Sequence, residues 1–277
     1  MNTKRQFVCG LTSACLFLII SCSEPNSEDI PLGNFSYDSS QIRHCEQGVF
    51  LGKAGRSNRE QLAGGHRYSV RTPANYDSRY QHPLIVVFSA ARHHRFRTEA
   101  KSKLTTAATQ AGFIIAYVDS VHLSLGNIRR LSQVPLDIAS KWCVDQSRIY
   151  LSGHSDGGTV SNAIAFLPGL SFRPKAIAPS AAGIQAIDMQ GESCPSAVAV
   201  MTWQNNNDQL FPGYGGDLAR WWAECHQCTL ETESFTSQCQ AFKGCTNDVE
   251  IAICTSPGRH QDWPNASHDI VEFFLRN

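Results

Sequence analysis

The chain has 277 residues, of which 42% are hydrophobic and 17% are charged. This composition predicts a folded core and not a disordered protein, and the length suits one large α/β domain or two small ones. Basic and acidic residues balance to a formal net charge of zero. Because no basic excess is present, the sequence predicts no nucleic-acid partner.

The first residues have the pattern of an export signal. Two basic residues precede an apolar run from Phe7 to Ile20, which is too short for a membrane span and has the length of a signal peptide. Positions 18–22 read Leu-Ile-Ile-Ser-Cys and resemble a bacterial lipobox, in which Cys22 would be the lipidated residue. The alternative is a plain signal peptide with an incidental cysteine.

These features divide the chain into three parts. We predict a lipoprotein signal peptide over 1–21, a polar flexible tether over 22–42 and an α/β domain over 43–277. Lipid on Cys22 would make a membrane the protein's partner. The predicted location is therefore periplasmic, or at the outer membrane or cell surface, of a bacterium.

Buried strands alternate with helices along the domain. The strands are expected to be apolar runs because a parallel sheet covered on both faces leaves little strand surface in water. Strands are predicted over 65–73, 83–88, 112–118, 148–152, 175–179, 197–203 and 249–254, and helices over 98–110, 133–142, 217–225 and 267–275. A mostly parallel sheet with helices on both faces follows, and such sheets bind ligands beyond the carboxyl ends of their strands.

A G-x-S-x-G motif centred on Ser155 follows the strand that ends near Ser152. A strand before the motif and a helix-compatible stretch after it predict a sharp turn that exposes the serine hydroxyl as a nucleophile. The alternative is an ordinary strand-to-helix turn with a capping serine.

A serine nucleophile needs a base and an orienting acid, and in α/β-hydrolases these follow it in the order acid, then histidine. Asp208 follows the strand that ends at Trp203 and is the predicted acid, whereas Asp217 more naturally begins a helix. His260 follows the last strand and is the predicted base. His268, its rival, falls within the terminal helical pattern.

Transition-state stabilisation requires backbone donors near the serine. We predict an oxyanion hole formed by the N–H of Asp156 and that of Ser89 or Ala90, which follow the strand over 83–88. The basic cluster at positions 93–97 could bind an anionic or aromatic group, or be a solvated loop.

Eight cysteines remain once the leader and Cys22 are set aside. An even number in an exported chain predicts up to four disulfides. The Cys-x-x-Cys pair at 225 and 228 could instead be a redox or zinc motif, but no second such pair exists. No metal site and no cofactor are predicted. The eight are Cys45, Cys143, Cys194, Cys225, Cys228, Cys239, Cys245 and Cys254.

With these residues assembled, residues 43–276 resemble the polyhydroxybutyrate depolymerase and feruloyl esterase-like group of secreted α/β-hydrolases. The resemblance implies Ser155 as nucleophile, Asp208 as acid, His260 as base and a disulfide from Cys45 to Cys143. It rests on Gly65, Arg67 and Tyr68 with Pro73–Asp77, on Cys143-Val144-Asp145-x-x-Arg148-Ile149, on Asp208-x-x-x-Pro212 and on Gly258-x-His260-x-x-Trp263-Pro264.

The expected activity is hydrolysis of small carboxylic esters, either short hydroxyalkanoate oligomers or feruloyl- or acetyl-saccharides, through an acyl-enzyme. Two departures from the group stand near the site: Ser89-Ala90 replaces a His-Gly pair, and Asp156 follows the nucleophile where a neutral residue is usual. These departures motivate the alternative function, a non-catalytic binding lipoprotein that keeps the fold.

Overall fold

The computed structural model describes residues 28–38, 40, 43–45, 50–195 and 197–277. The predicted signal peptide and the predicted lipidation site Cys22 lie outside the described residues. No helix within these ranges is long and apolar enough to span a bilayer.

In the described ranges, ten strands form one sheet in the order β1-β2-β4-β3-β5-β6-β7-β10-β9-β8. The six central strands, from β4 to β10, are parallel, and the outer strands on both sides are antiparallel. The strands are β1 Arg56–Gln61, β2 Arg67–Arg71, β3 His82–Phe88, β4 Ile114–Val118, β5 Val144–His154, β6 Ala176–Ser180, β7 Ala199–Asn205, β8 Thr229–Ser234, β9 Cys239–Lys243 and β10 Ile251–Ser256.

Helices cover the sheet in two layers. Helices α2 and α7 pack together on one face, where Phe274 stacks on Tyr150 of β5. Helices α5 and α6 meet on the other, where the indole N–H of Trp222 donates to Asn162 over 2.8 Å. The helices are α1 Arg95–Ser102, α2 Leu104–Gln110, α3 Leu125–Leu131, α4 Val134–Ala139, α5 Asp156–Phe166, α6 Tyr214–Cys225 and α7 Ser267–Arg276, with 3-10 turns at Ala186–Met189 and Thr246–Asp248.

The structure contains the seven predicted strands and their alternation with helices. One of the predicted helices, however, is divided into two, α1 and α2. The helix expected over 98–110 is interrupted at Lys103, whose φ of 55° is left-handed. The break follows Glu99, whose carboxylate forms a doubly hydrogen-bonded ion pair with Arg71 of β2, over 2.7 and 2.8 Å. Both of these side chains are fully buried. Strands β1, β8 and β9 and helix α3 were not predicted.

Disulfides join all eight predicted cysteines. Cys45 bonds to Cys143, as the family resemblance implies, and the other pairs are Cys194–Cys225, Cys228–Cys245 and Cys239–Cys254. The two cysteines of the Cys-x-x-Cys pair therefore have different partners, which contradicts the redox or zinc alternative for that pair. Cys228–Cys245 closes the open end of the β8–β9 hairpin, and Cys239–Cys254 links β9 to β10.

Residues 28–38 lie against the amino edge of the sheet, the edge at which the parallel strands begin. The N–H of Gly33 donates to the hydroxyl of Thr109 over 2.8 Å. The hydroxyl of Tyr37 lies 3.5 Å from Nε2 of His82, the first residue of β3. Residues 28–38, which belong to the tether predicted from the sequence, thus contact the domain through Gly33 and Tyr37.

Candidate active site

The turn between β5 and α5 places Ser155 at the carboxyl edge of the sheet. Ser155 has φ 55° and ψ −121°, a conformation that L-residues seldom adopt. Its N–H donates to the carbonyl of Ser180 at the end of β6, over 2.9 Å. A side chain on Gly157 would overlap the carbonyl of Phe88, so the tight turn requires glycine there. The local geometry is the strand, turn and helix that the G-x-S-x-G motif predicts.

His260 reaches Ser155 from the loop that follows β10. The Oγ of Ser155 lies 2.8 Å from Nε2 of His260. The His260 side chain is 18% exposed, so part of the ring faces solvent while Nε2 faces the serine. Phe211 packs edge-on against this ring with a centroid distance of 5.0 Å.

Asp208, from the loop after β7, holds the other nitrogen of the same ring. Its Oδ2 lies 2.9 Å from Nδ1 of His260, and its Oδ1 accepts the N–H groups of Leu210 and Phe211, each over 2.9 Å. Burial opposes ionisation of this carboxyl, but the hydrogen bonds from the Phe211 N–H, His260 and Leu210 outweigh burial. The pKa of Asp208 therefore lies below its ordinary value.

These contacts fix the tautomer of His260. An ionised carboxylate only accepts hydrogen bonds, so Nδ1 carries the ring proton and Nε2 presents a lone pair to the serine hydroxyl. The arrangement can remove the serine proton and stabilise the resulting imidazolium.

The two rival residues lie elsewhere. Asp217 belongs to α6, and its Oδ2 accepts the N–H of Ala186 over 2.7 Å. His268 is exposed on α7. The structure thus brings together the three residues that the sequence predicts and neither of the alternatives considered.

The predicted oxyanion donors lie at the start of α5 and in the loop that follows β3. Asp156 is the first residue of α5, and the N–H groups of a helix's first turn have no partner within the helix. The hydroxyl of Ser89 is bonded to Val118 O and to Thr98 Oγ1, both over 2.6 Å, so the side chain of Ser89 is engaged within the fold and is not available as the donor. Neither Ser89 nor Ala90 has a positive φ. Alanine therefore fits this backbone without the strain that the loss of a glycine would otherwise cause.

The half-buried carboxyl of Asp156 has two imidazole neighbours. Burial raises its pKa, and the charges of His260 and His122 act in the opposite direction. The carboxyl is thus not an isolated negative charge beside the oxyanion position.

The basic loop after β3 is largely structural. His94 caps α1, since its Nδ1 accepts the N–H of Arg97 over 3.3 Å. Arg95 forms an ion pair with Asp119 over 2.9 Å. His93 lies near enough to His154 to act on the pKa of that residue.

One buried residue beside the triad was not singled out from the sequence. His154 occupies the first variable position of the G-x-S-x-G motif, where the motif itself demands no residue type. Trp263 lies beside it with a ring-centroid distance of 5.3 Å. Trp203, near the end of β7, is a fully buried core residue.

Comparison with known proteins finds no matching family model. Feruloyl esterase B of Piromyces equi is 24% identical over 223 residues, which are 68% of this chain and 41% of that protein. The chain thus matches less than half of the length of this relative.

Solved structures give the fold. Acetyl xylan esterase from Aspergillus awamori matches with a TM-score of 0.62 at 15% identity, covering 82% of this chain and 100% of that one. A thermophilic esterase from Thermogutta terrifontis, with butyrate bound, matches with a TM-score of 0.55 at 10% identity, covering 80% and 91%. The similarity does not distinguish a polyhydroxybutyrate depolymerase from other esterases of this architecture. The chain has the α/β-hydrolase fold, with a mostly parallel sheet between helices and four disulfides in its described part.

Proposed function

We propose that the protein is a serine carboxylic-ester hydrolase that works through an acyl-enzyme. The observation that carries this proposal is the continuous hydrogen-bonded chain from Ser155 through His260 to Asp208, with distances of 2.8 and 2.9 Å. A relative and two structural neighbours whose names describe esterases support it.

In the first step, Oγ of Ser155 attacks the ester carbonyl while Nε2 of His260 takes its proton. Asp208 stabilises the imidazolium, and His260 then gives the proton to the departing alcohol oxygen. Water, activated by the same imidazole, attacks the acyl-enzyme and releases the acid. The hydrogen bonds that lower the pKa of Asp208 keep it ionised through the cycle.

The carbonyl oxygen becomes negative in both tetrahedral intermediates. We assign its stabilisation to the N–H of Asp156 at the start of α5 and to a backbone N–H of Ser89 or Ala90. A helix N-terminus favours negative charge, which adds to the hydrogen bonds.

For the substrate, we propose feruloyl- or acetyl-saccharide esters in preference to hydroxyalkanoate oligomers. The names of the relative and of the Aspergillus neighbour support this choice. Phe211 beside His260 and Leu210, which is 60% exposed, provide apolar surface at the mouth of the site. Such surface suits an acyl or aromatic group.

The test is hydrolysis of p-nitrophenyl acetate, methyl ferulate, acetylated xylan oligomers and hydroxybutyrate oligomers by the protein without its leader. Ser155→Ala and His260→Ala should each lower kcat by about 10⁴-fold or more. His268→Ala, an exposed histidine on α7, is the matched control and should retain full activity. A folded parent that hydrolyses none of these esters would favour the non-catalytic binding lipoprotein.

For location, we propose that lipid on Cys22 anchors the exported protein. Residues 28–38 lie at the amino edge of the sheet and Ser155 lies at the carboxyl edge, so an anchor upstream of residue 28 would leave the active site facing away from the membrane. Full-length protein should sediment with membranes, and Cys22→Ser should release it. Equal release of both forms would contradict the anchor.

A further inference from the structure

His154 is a buried histidine that the ester-hydrolysis chemistry does not use. It is the last residue of β5 and directly precedes Ser155, with only 4% of its surface exposed. Its Nε2 lies 2.6 Å from the backbone carbonyl oxygen of His260, and its Nδ1 lies 3.1 Å from Oγ of Ser180. Both ring nitrogens are therefore engaged.

The partners determine where the proton of His154 resides. A carbonyl oxygen only accepts, so Nε2 carries the proton and donates it to His260. The Nδ1 lone pair then accepts the hydroxyl proton of Ser180. Burial is the largest cause that lowers the pKa of His154, to about 4, so the ring stays neutral with this single proton near neutral pH.

The loop that carries His260 is held from two strands. Asn205 at the end of β7 donates its side-chain N–H groups to the carbonyls of Arg259 and Asp262, over 2.9 and 2.7 Å. His154 at the end of β5 holds the carbonyl between these two. His154 directly precedes Ser155 in the chain. Its hydrogen bond therefore links the loop that carries His260 to the turn that holds the nucleophile.

We propose that His154 is a positioning residue, whose Nε2–H holds the His260 peptide and thereby keeps the His260 ring within hydrogen-bond distance of Ser155. This inference rests on the proposed esterase function. Misplacing a reacting group by about 1 Å can reduce the rate about 100-fold, so one backbone hydrogen bond at this place can matter for turnover.

The test compares two amide variants of similar polarity. His154→Gln places an N–H group at the reach of Nε2 and can keep the bond to His260. His154→Asn reaches only the position of Nδ1 and keeps the contact with Ser180 alone. We expect His154→Asn to lower kcat for p-nitrophenyl acetate about 10- to 100-fold with little change in KM, and His154→Gln to restore kcat to within about threefold.

Ser180→Ala is the matched control, because it removes the other partner of the ring. It should leave kcat within about threefold of the parent. A second readout is the rate at which a small sulfonyl fluoride modifies Ser155, which depends on the base and needs no substrate pocket. In His154→Asn this rate should fall together with kcat. In His154→Gln and Ser180→Ala it should stay near the rate of the parent.

Equal kcat in the parent and a folded His154→Asn would overturn the inference, as would an equal loss in both amide variants. If His154→Asn fails to fold, His154→Met replaces it, because methionine reaches the position of Nε2 without an N–H group. A lower kcat in His154→Met than in His154→Gln then supports the inference, whereas an equal kcat in the two, or a folded His154→Gln with low kcat, overturns it. A parent that neither turns over esters nor reacts at Ser155 refutes the esterase proposal instead, so the two failures are distinguishable.

Discussion

Lowering the pH from 7 to 5 should destabilise the fold through His154. Burial holds its folded pKa near 4, against an ordinary value of 6.5 that applies to the unfolded chain. Between these values the unfolded state binds a proton that the folded state does not, so the free energy of unfolding falls as the pH falls. The contribution is fully present above the unfolded pKa and is lost towards pH 4. The linkage relation gives a loss of about 2 kcal/mol between pH 7 and pH 5.

Urea unfolding of the disulfide-intact protein at both pH values measures this loss, with His154→Gln as the comparison. His82 and His226, whose pKa values burial also lowers, act equally in both proteins and cancel in the difference. The variant should lose about 2 kcal/mol less than the parent between the two pH values. An equal loss in the two proteins would refute the assignment of a neutral buried ring to His154.

Three further changes test other parts of the structure. Asp208→Asn should lower kcat by about 10⁴-fold by favouring the wrong His260 tautomer, and a smaller effect than about tenfold would contradict the assigned acid. Glu99→Gln leaves Arg71 buried without its counter-ion and should cost about 3–5 kcal/mol in urea unfolding. An unchanged midpoint would show that the pair is not buried as described. Gly157→Ala adds a methyl group against a backbone carbonyl and should cost about 1–3 kcal/mol by the same assay, whereas a neutral effect would contradict the close approach at the nucleophile turn.

The central strands could be predicted because their burial is visible locally. Runs such as Leu84–Phe88 and Ile114–Val118 are continuously apolar, as strands buried on both faces must be. Strand β8 is exposed along its whole length and carries no such signal. The break at Lys103 also has no local signal, since the surrounding residues suit a helix. Strand β8 instead pairs with β9 in a hairpin that two disulfides hold, Cys228–Cys245 and Cys239–Cys254, and no local pattern records these pairings.

The three catalytic residues could be predicted from the sequence more readily than the residues that hold them in place. Chain order and loop placement after strands were enough to select Asp208 and His260, which the structure brings to Ser155. The sequence alone could not show whether alanine at position 90 strains the backbone, because that depends on whether φ at this position is positive. The role proposed for His154 depends on a carbonyl 106 positions away in the chain, which no motif records.

The most direct test of the account is to trap the acyl-enzyme. The protein is mixed with a p-nitrophenyl ester, quenched in acid during turnover and digested, and the peptide masses are compared with those of Ser155→Ala. The acyl-enzyme mechanism predicts an added acyl group on the peptide that contains Ser155, absent from Ser155→Ala and retained in His268→Ala. Ester turnover with the acyl group elsewhere, or with the same adduct in Ser155→Ala, would contradict it.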